Sequence, residues 1–175
     1  MRWLTGCNGF VDKMEDNVRE RHLVVTLFEI LVALQAVQVS ILWLHDWLPM
    51  PPLNDVDAVR RDTTTERLVF LTLVQSVPYT IGLVFSVRDL GGPYPAWLLY
   101  WLWISYGVLF FGELRAWWVP YLIRAEPGRA ARYKTLFRRT HTFLPLRNGI
   151  TPNTLHTMLH VSTAATLLSL LFVST

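Results

Sequence analysis

The sequence has little of what soluble, secreted or redox-active proteins depend on. It contains one cysteine, Cys7, so it forms no internal disulfide and carries no CxxC motif. Only 17% of the 175 residues are charged and 52% are hydrophobic, a balance that excludes a disordered chain and is unusual for a soluble domain. There is no internal repeat and no glycine-rich phosphate loop. Since the net charge of +3 is also small for a soluble nucleic-acid binder, we expect an integral membrane protein with no nucleic-acid partner.

Long apolar runs are what the chain has instead. Residues 23–44 form a run of 22 residues with one charge, which at about 1.5 Å per residue reaches about 33 Å, enough to cross a hydrocarbon core of about 30 Å. Comparable runs cover residues 68–87, 97–119 and 153–173. We therefore predict an all-α polytopic membrane protein, a four-transmembrane-helix bundle that forms a single integral membrane domain over residues 1–175.

Basic residues are concentrated in one connecting segment. Residues 124–152 contain seven Lys and Arg residues against one acid, Glu126. Because loops rich in Lys and Arg stay in the cytoplasm, we predict that this loop is cytoplasmic and that both termini lie outside, as in a protein of the cell inner membrane. Residues 1–22 carry charges where the apolar core of a signal peptide would run, so we expect this segment to be retained.

Part of the basic loop has the pattern of an amphipathic helix. Apolar and aromatic residues recur near helical spacing within residues 128–144, and arginines occupy the other side. We predict an interfacial amphipathic helix between the third and fourth spans that binds anionic lipid headgroups. Because the bilayer tethers this loop at both ends, lipid is favoured over RNA as its anionic partner. The apolar side consists of Tyr133, Leu136, Phe137, Phe143 and Leu144, and the basic side of Arg129, Arg132, Arg138 and Arg139.

The fourth span carries the densest set of polar residues. Asn153, His156, His160 and Thr163 fall within an arc of about 80° on one helix face. Two imidazoles one turn apart can bind one zinc or iron ion, but a metal site needs further ligands. Only Glu113 and His141 are available to complete such a set, so a site for a proton or small molecule is favoured over a metal site made of His156, His160 and Glu113.

The third span places a carboxyl group near these histidines. Glu113 shares a helix face with Tyr106 and lies about one turn inside Trp117, at nearly the depth of the histidines. Arg115 is turned about 200° away from Glu113, so we expect it to reach the headgroups or a different neighbour. We predict a ligand-binding pocket at the cytoplasmic ends of the third and fourth spans. Its residues are Tyr106, Glu113, His156 and His160, with His141, Arg147 and Asn153 as a cap.

Three functions remain open for this pocket. The protein binds or translocates a proton, cation or small ligand, or it is an enzyme in which Glu113 and His156 act as an acid-base pair. Alternatively it is a structural subunit of a larger membrane complex, and the same residues only lock helices together. The aromatic surface of the third span is suited to contact with a second copy, another subunit or lipid. A haem bound by two histidines is disfavoured because His45 is too shallow.

Other polar residues within the spans are expected to join helices. Gln35, Gln38 and Gln75 are predicted to form interhelical hydrogen bonds. Glu29 in the first span and Arg88 at the end of the second are predicted to form an ion pair.

Three short segments resemble the EXPERA group, membrane proteins that include sterol isomerases and sterol-binding proteins. They are residues 75–78 (QSVP), 95–100 (PAWLLY) and 152–156 (PNTLH). The resemblance implies an apolar cavity for a sterol-like ligand, with Glu29 and Glu113 as its acids. The second span has no acidic residue to accompany the group's carboxylate site.

Overall fold

The computed structural model describes residues 25–174, and its regular structure there is helical apart from one isolated bridge between Arg147 and Ile150. The all-α prediction is therefore confirmed for this part of the chain. Cys7, the segment 1–22 and the first two residues of the first predicted span lie outside the described residues. In chain order the helices are α1 (Val25–Leu44), α2 (Val56–Asp62), α3 (Thr65–Arg88), α4 (Ala96–Glu113), α5 (Val119–Leu122), α6 (Pro127–Leu136) and α7 (Thr154–Val173).

Four helices are long and apolar enough to cross a membrane. They are α1, α3, α7 and the continuous stretch Ala96–Leu122, in which a π-helical turn, Leu114–Trp118, joins α4 to α5. Each predicted span matches one of them to within three residues wherever its ends are described. Helix α3 continues through Pro78, whose carbonyl accepts a hydrogen bond from the Trp101 indole at 2.9 Å.

Helix α4 is the centre of the bundle. It packs against α7 on one side and α3 on the other, and α1 is joined to α3 and α7 by hydrogen bonds between buried side chains. Gly82 allows the close approach of α3 to α4, because a Cβ atom there would lie 2.9 Å from Leu102 Cδ2. The interior of the bundle is built from Phe28, Leu31, Val39, Leu42, Tyr79, Tyr94, Leu98, Leu102, Tyr106, Leu159 and Leu170.

The outer surface of the long helices is apolar. Large side chains stand out from α3, α4 and α7, and seven of them are more than 60% exposed. Soluble monomers rarely expose apolar patches of this extent, so the surface is suited to lipid or to another apolar surface. These seven residues are Phe70, Tyr100, Ile104, Val108, Phe111, Val161 and Phe172.

The helix predicted over residues 128–144 is present but shorter. Helix α6 ends at Leu136, and Phe137 closes it with φ −107° and ψ 14°. Its aromatic side faces protein, because the rings of Tyr133 and Phe137 lie 4.6 and 4.9 Å from the ring of Trp117. After Phe137 the chain forms turns, including a tight one in which Asn148 and Gly149 have φ angles of 50° and 74°.

Replacing Gly82 with leucine should loosen the contact between α3 and α4. The side chain would collide with fully buried Leu102, and we expect the free energy of unfolding to fall by about 1–3 kcal/mol. Gly107→Leu is the matched control, because a Cβ there meets nothing within 4 Å and leucine is the better helix former. Thermal unfolding in detergent measures both, and equal effects would contradict this packing.

Candidate functional site

Three histidines gather at the end of the bundle where α1 ends and α7 begins. We call His45, His156 and His160, together with Trp117 and Trp118, the histidine cluster. The His156 ring lies 4.6 Å from the ring of Trp117, 6.0 Å from that of His45 and 6.2 Å from that of His160, measured between centroids. The cluster therefore draws on α1, α7 and the π-helical turn after α4.

Asn153 positions His156 at the start of α7. Its Oδ1 accepts hydrogen bonds from the backbone N–H of His156 at 2.9 Å and from the ring Nδ1 at 2.7 Å. The amide nitrogen of Asn153 donates to the Leu53 carbonyl at 3.3 Å, which fixes the orientation of the amide. Because Oδ1 can only accept, Nδ1 of the His156 ring carries a proton.

His160 is held by a tryptophan. The indole N–H of Trp118 donates to Nδ1 of His160 at 3.1 Å. An indole nitrogen can only donate, so Nδ1 accepts and the ring is neutral, with its proton on Nε2. His160 is buried, whereas His156 is partly exposed. The two rings therefore differ in the protonation of Nδ1 and in their access to solvent.

His45 belongs to this cluster, and the expectation that it lies too shallow to meet another histidine was wrong. Its Nδ1 donates to the Ile41 carbonyl at 2.8 Å, and its Nε2 lies 3.2 Å from a carboxylate oxygen of Asp46. The end of α1 lies at the same depth in the bundle as the start of α7, so a residue just beyond α1 faces the first turn of α7.

A second polar site lies deeper in the bundle. We call Glu113, Thr163 and Gln38 the glutamate site. The Thr163 hydroxyl accepts from the Gln38 amide at 3.0 Å, and its one proton is shared between Oε1 of Glu113 at 2.9 Å and the Leu159 carbonyl at 3.0 Å. The proton of the Thr166 hydroxyl is shared between the Ser162 carbonyl at 2.9 Å and Oε1 of Gln38 at 3.3 Å. One row of buried polar side chains thus joins α4, α7 and α1, which confirms the predicted interhelical role of Gln38.

Two buried oxygen atoms in this region are left without partners. Neither Oε2 of Glu113 nor the hydroxyl of Tyr106 has a hydrogen-bond partner within residues 25–174. Glu113 is 6% exposed and Tyr106 is fully buried, with its ring 5.3 Å from that of Tyr79. Since at least about 90% of buried polar groups in proteins are hydrogen-bonded, these two oxygens are exceptions, as are those of Gln35, Thr63 and Ser76.

The residues of the predicted pocket divide between these two sites. Asn153 does meet His156, but Glu113 bonds to Thr163, which lies seven residues, or about 10 Å, further along α7 than His156. No three His, Cys, Asp or Glu side chains of the described residues are placed to hold a metal ion, so the geometry does not support zinc or iron.

Two members of the predicted cap are exposed and face other partners. Nδ1 of His141 lies 2.7 Å from the Thr154 hydroxyl, and the Arg147 guanidinium lies over the Tyr121 ring at 5.9 Å. The proline-flanked segment that carries Arg147 turns back onto α5, which explains why Arg147 is directed away from Glu113. Arg147 and His141 therefore contact neither Glu113 nor His160 in the described structure.

Predictions for the other polar residues had different outcomes. Gln35 donates to the Ser86 hydroxyl at 3.1 Å, as an interhelical bond requires. Gln75 is exposed on the outside of α3, so its predicted role was wrong. Arg88 lies 3.3 Å from its neighbour Asp89, and the ion pair with Glu29 is not formed. Proximity in the chain favours Asp89, whereas Glu29 is exposed on the outside of α1.

Comparison with known proteins supplies no relative on which to base a function. The chain matches no protein-family model, no curated protein and no solved structure. The resemblance of three short segments to the EXPERA group stays a prediction from the sequence.

Replacing Asn153 tests how the histidine cluster is held. Asn153→Ala removes the cap of α7 and the acceptor for the His156 ring, so we expect the free energy of unfolding to fall by about 1–2 kcal/mol. Asn153→Ser keeps a capping oxygen but loses the amide donor to Leu53, so it should recover part of that loss. Thermal unfolding of both variants measures the difference. Equal stability of Asn153→Ala and the unmodified protein would contradict this role.

Proposed function

We propose that the chain is a multi-pass membrane protein whose interior binds a proton at Glu113. Four apolar helices and their exposed apolar surface support insertion into a bilayer. The seven Lys and Arg residues of residues 124–152 lie at the end of the bundle that carries the histidine cluster, and this supports a cytoplasmic position for that end. On this assignment Val25 and Val173 lie toward the outside.

The observation that carries the proposal is the unpartnered Oε2 of Glu113. A carboxylate within a membrane bundle is costly, and acidic residues at such depth commonly belong to proton or ion pathways. Thr163 satisfies Oε1, while Oε2 has no donor among the described residues. A proton on Oε2 removes the buried charge and leaves the Thr163 hydrogen bond intact.

A proton explains the arrangement better than a larger ligand. Two clefts of the described residues, of about 410 and 280 Å³, are lined by side chains other than Glu113 and Tyr106. A proton needs no cavity, only a sequence of groups that accept and release it. The partly exposed His156 and the buried His160 lie between the end of the bundle and Thr163 on the same helix, and imidazoles exchange protons through either nitrogen.

A structural role is the second candidate, and the Thr163 hydroxyl favours it. This one group bonds to Glu113 of α4 and Gln38 of α1, so the glutamate site also ties three helices together. The enzyme hypothesis has less support, because Glu113 and His156 bond to different partners. A sterol-like ligand has less support as well, since the described cavities do not touch Glu113.

Glu113→Gln separates proton binding from the structural role. The amide keeps an acceptor for Thr163 but cannot bind a proton at this position, so the infrared band of a protonated carboxyl should disappear from the reconstituted protein at a pH where the exposed acids are ionised. Glu66→Gln is the matched control, because Glu66 is an exposed acid in the first turn of α3 and its loss should leave that band in place.

The opposite outcomes decide against proton binding. If the band persists in Glu113→Gln, or if Glu66→Gln removes it equally, Glu113 is not the proton-binding group. If Glu113→Gln and Thr163→Val each lower thermal stability with effects that are not additive, and neither changes the band, the glutamate site only locks helices.

A further inference from the structure

Helix α6 is attached to the bundle by two backbone carbonyls that the π-helical turn leaves free. The N–H of Val119 donates to the Leu114 carbonyl, five residues earlier. Pro120 has no N–H, so it supplies neither the α-helical donor for Ala116 nor the π-helical donor for Arg115. Arg129 donates to the Arg115 carbonyl at 3.0 Å, and the Tyr133 hydroxyl donates to the Ala116 carbonyl at 3.2 Å.

A basic cleft of about 410 Å³ lies between this turn and α6. Three arginine side chains converge on it, and no acidic side chain of the described residues lines it. Two glycines leave its floor open, because a Cβ at Gly112 or Gly128 would meet nothing within 4 Å. We call this the arginine cleft, lined by Gly112, Arg115, Gly128, Arg129, Arg132 and Tyr133.

The charges of the arginine cleft are only partly balanced. Arg132 is paired with Asp62 at 2.6 Å, and this hydrogen bond raises the pKa of the Arg132 guanidinium. Arg129 uses one nitrogen, Nη1, for the backbone carbonyls. Across residues 25–174, the Arg115 guanidinium has no hydrogen-bond or ion-pair partner. Two of the three cations therefore lack an anion.

We infer that the arginine cleft binds the phosphate group of an anionic membrane lipid. Guanidinium groups present paired N–H donors whose geometry matches two oxygens of a phosphate, and basic pockets beside membrane helices suit anionic headgroups. Gly128 of the cleft lies in the first turn of α6, and the side chain of the N-cap residue, Glu126, does not cap the N–H groups of that turn. Their dipole adds to the attraction for an anion.

An apolar stripe on α4 identifies the anion as part of a lipid. Ile104, Val108 and Phe111 are spaced by four and three residues, and each is at least 66% exposed. Arg115 follows four residues after Phe111, so the stripe runs along one helix face and ends at the arginine cleft. An acyl chain lying along this stripe would place its phosphate beside Arg115. A water-soluble phosphate would make no use of these apolar side chains.

Binding of phosphatidylglycerol to the full chain in detergent tests this inference, with native mass spectrometry as the readout. Arg115→Gln should weaken binding about tenfold, the effect of losing one charge-assisted contact. Gly112→Leu should weaken it as well, because the side chain enters the cleft without a clash. Arg138→Gln removes one charge from an exposed position outside the cleft and should bind lipid as the unmodified protein does.

Two results would overturn the inference. Equal weakening by Arg115→Gln and Arg138→Gln would mean that the lipid responds only to the overall basic charge. Displacement of the lipid by inorganic phosphate, with the same dependence on Arg115, would identify a water-soluble phosphate as the ligand. Thermal stability without added lipid shows whether each variant is folded, and Arg115→Gln and Gly112→Leu alter different groups, so one remains informative if the other fails. Neither result bears on proton binding at Glu113.

Discussion

Pro120 imposes the constraint on which both sites depend. It removes one backbone N–H near the end of the third long helix, and its ring would crowd the Ala116 carbonyl in a regular α-helix. The chain widens into the π-helical turn Leu114–Trp118, which relieves this contact and leaves two carbonyls for α6. The same turn brings the rings of Trp117 and Trp118 within 6.2 and 6.0 Å of the His160 ring. The N–H that Pro120 lacks therefore affects how the π-helical turn contacts both α6 and α7.

The glutamate site consists of buried polar side chains that form hydrogen bonds with one another between helices. Hydrogen bonds join Gln38 of α1 to Thr163 and Thr166 of α7. A further hydrogen bond joins Thr163 to Glu113 of α4. A threonine hydroxyl is suited to this position because it donates once and accepts as well. Glu113 ends the row with one oxygen, Oε2, that has no hydrogen-bond partner among the described residues.

Much of this fold could be predicted from residue type and length. The four spans follow from apolar runs long enough to cross a hydrocarbon core, and Asn153 before a polar helix start is a recognisable N-cap. Glu113 and His160 were also correctly expected on neighbouring helices near the same end. The sequence does not determine the register, that is, how far α4 is shifted along α7. A shift of two turns decides whether Glu113 meets His156 or Thr163, and helical periodicity does not fix that shift.

The remaining errors had weak signals in the sequence. His45 directly follows the first span, at the end that the positive charges assign to the cytoplasm. The fourth span begins at the same end, so comparing the depths of His45 and His156 could have predicted that they meet. Pro120, close after two tryptophans, indicates an interrupted helix but not a π-helical turn, since the freed carbonyls are bound by Arg129 and Tyr133 from a helix further along the chain. Helix α2, which packs against α6, contains too few apolar residues to stand out from a loop.

Helix geometry also explains why one turn carries two unsatisfied charged groups. Glu113 and Arg115 are two residues apart, which places them about 200° apart around the helix axis, and the wider π-helical turn does not bring them together. An ion pair between them would neutralise both and leave neither available. Held on opposite faces, the carboxyl group faces the bundle interior beside Thr163, and the guanidinium group faces the cleft beside α6.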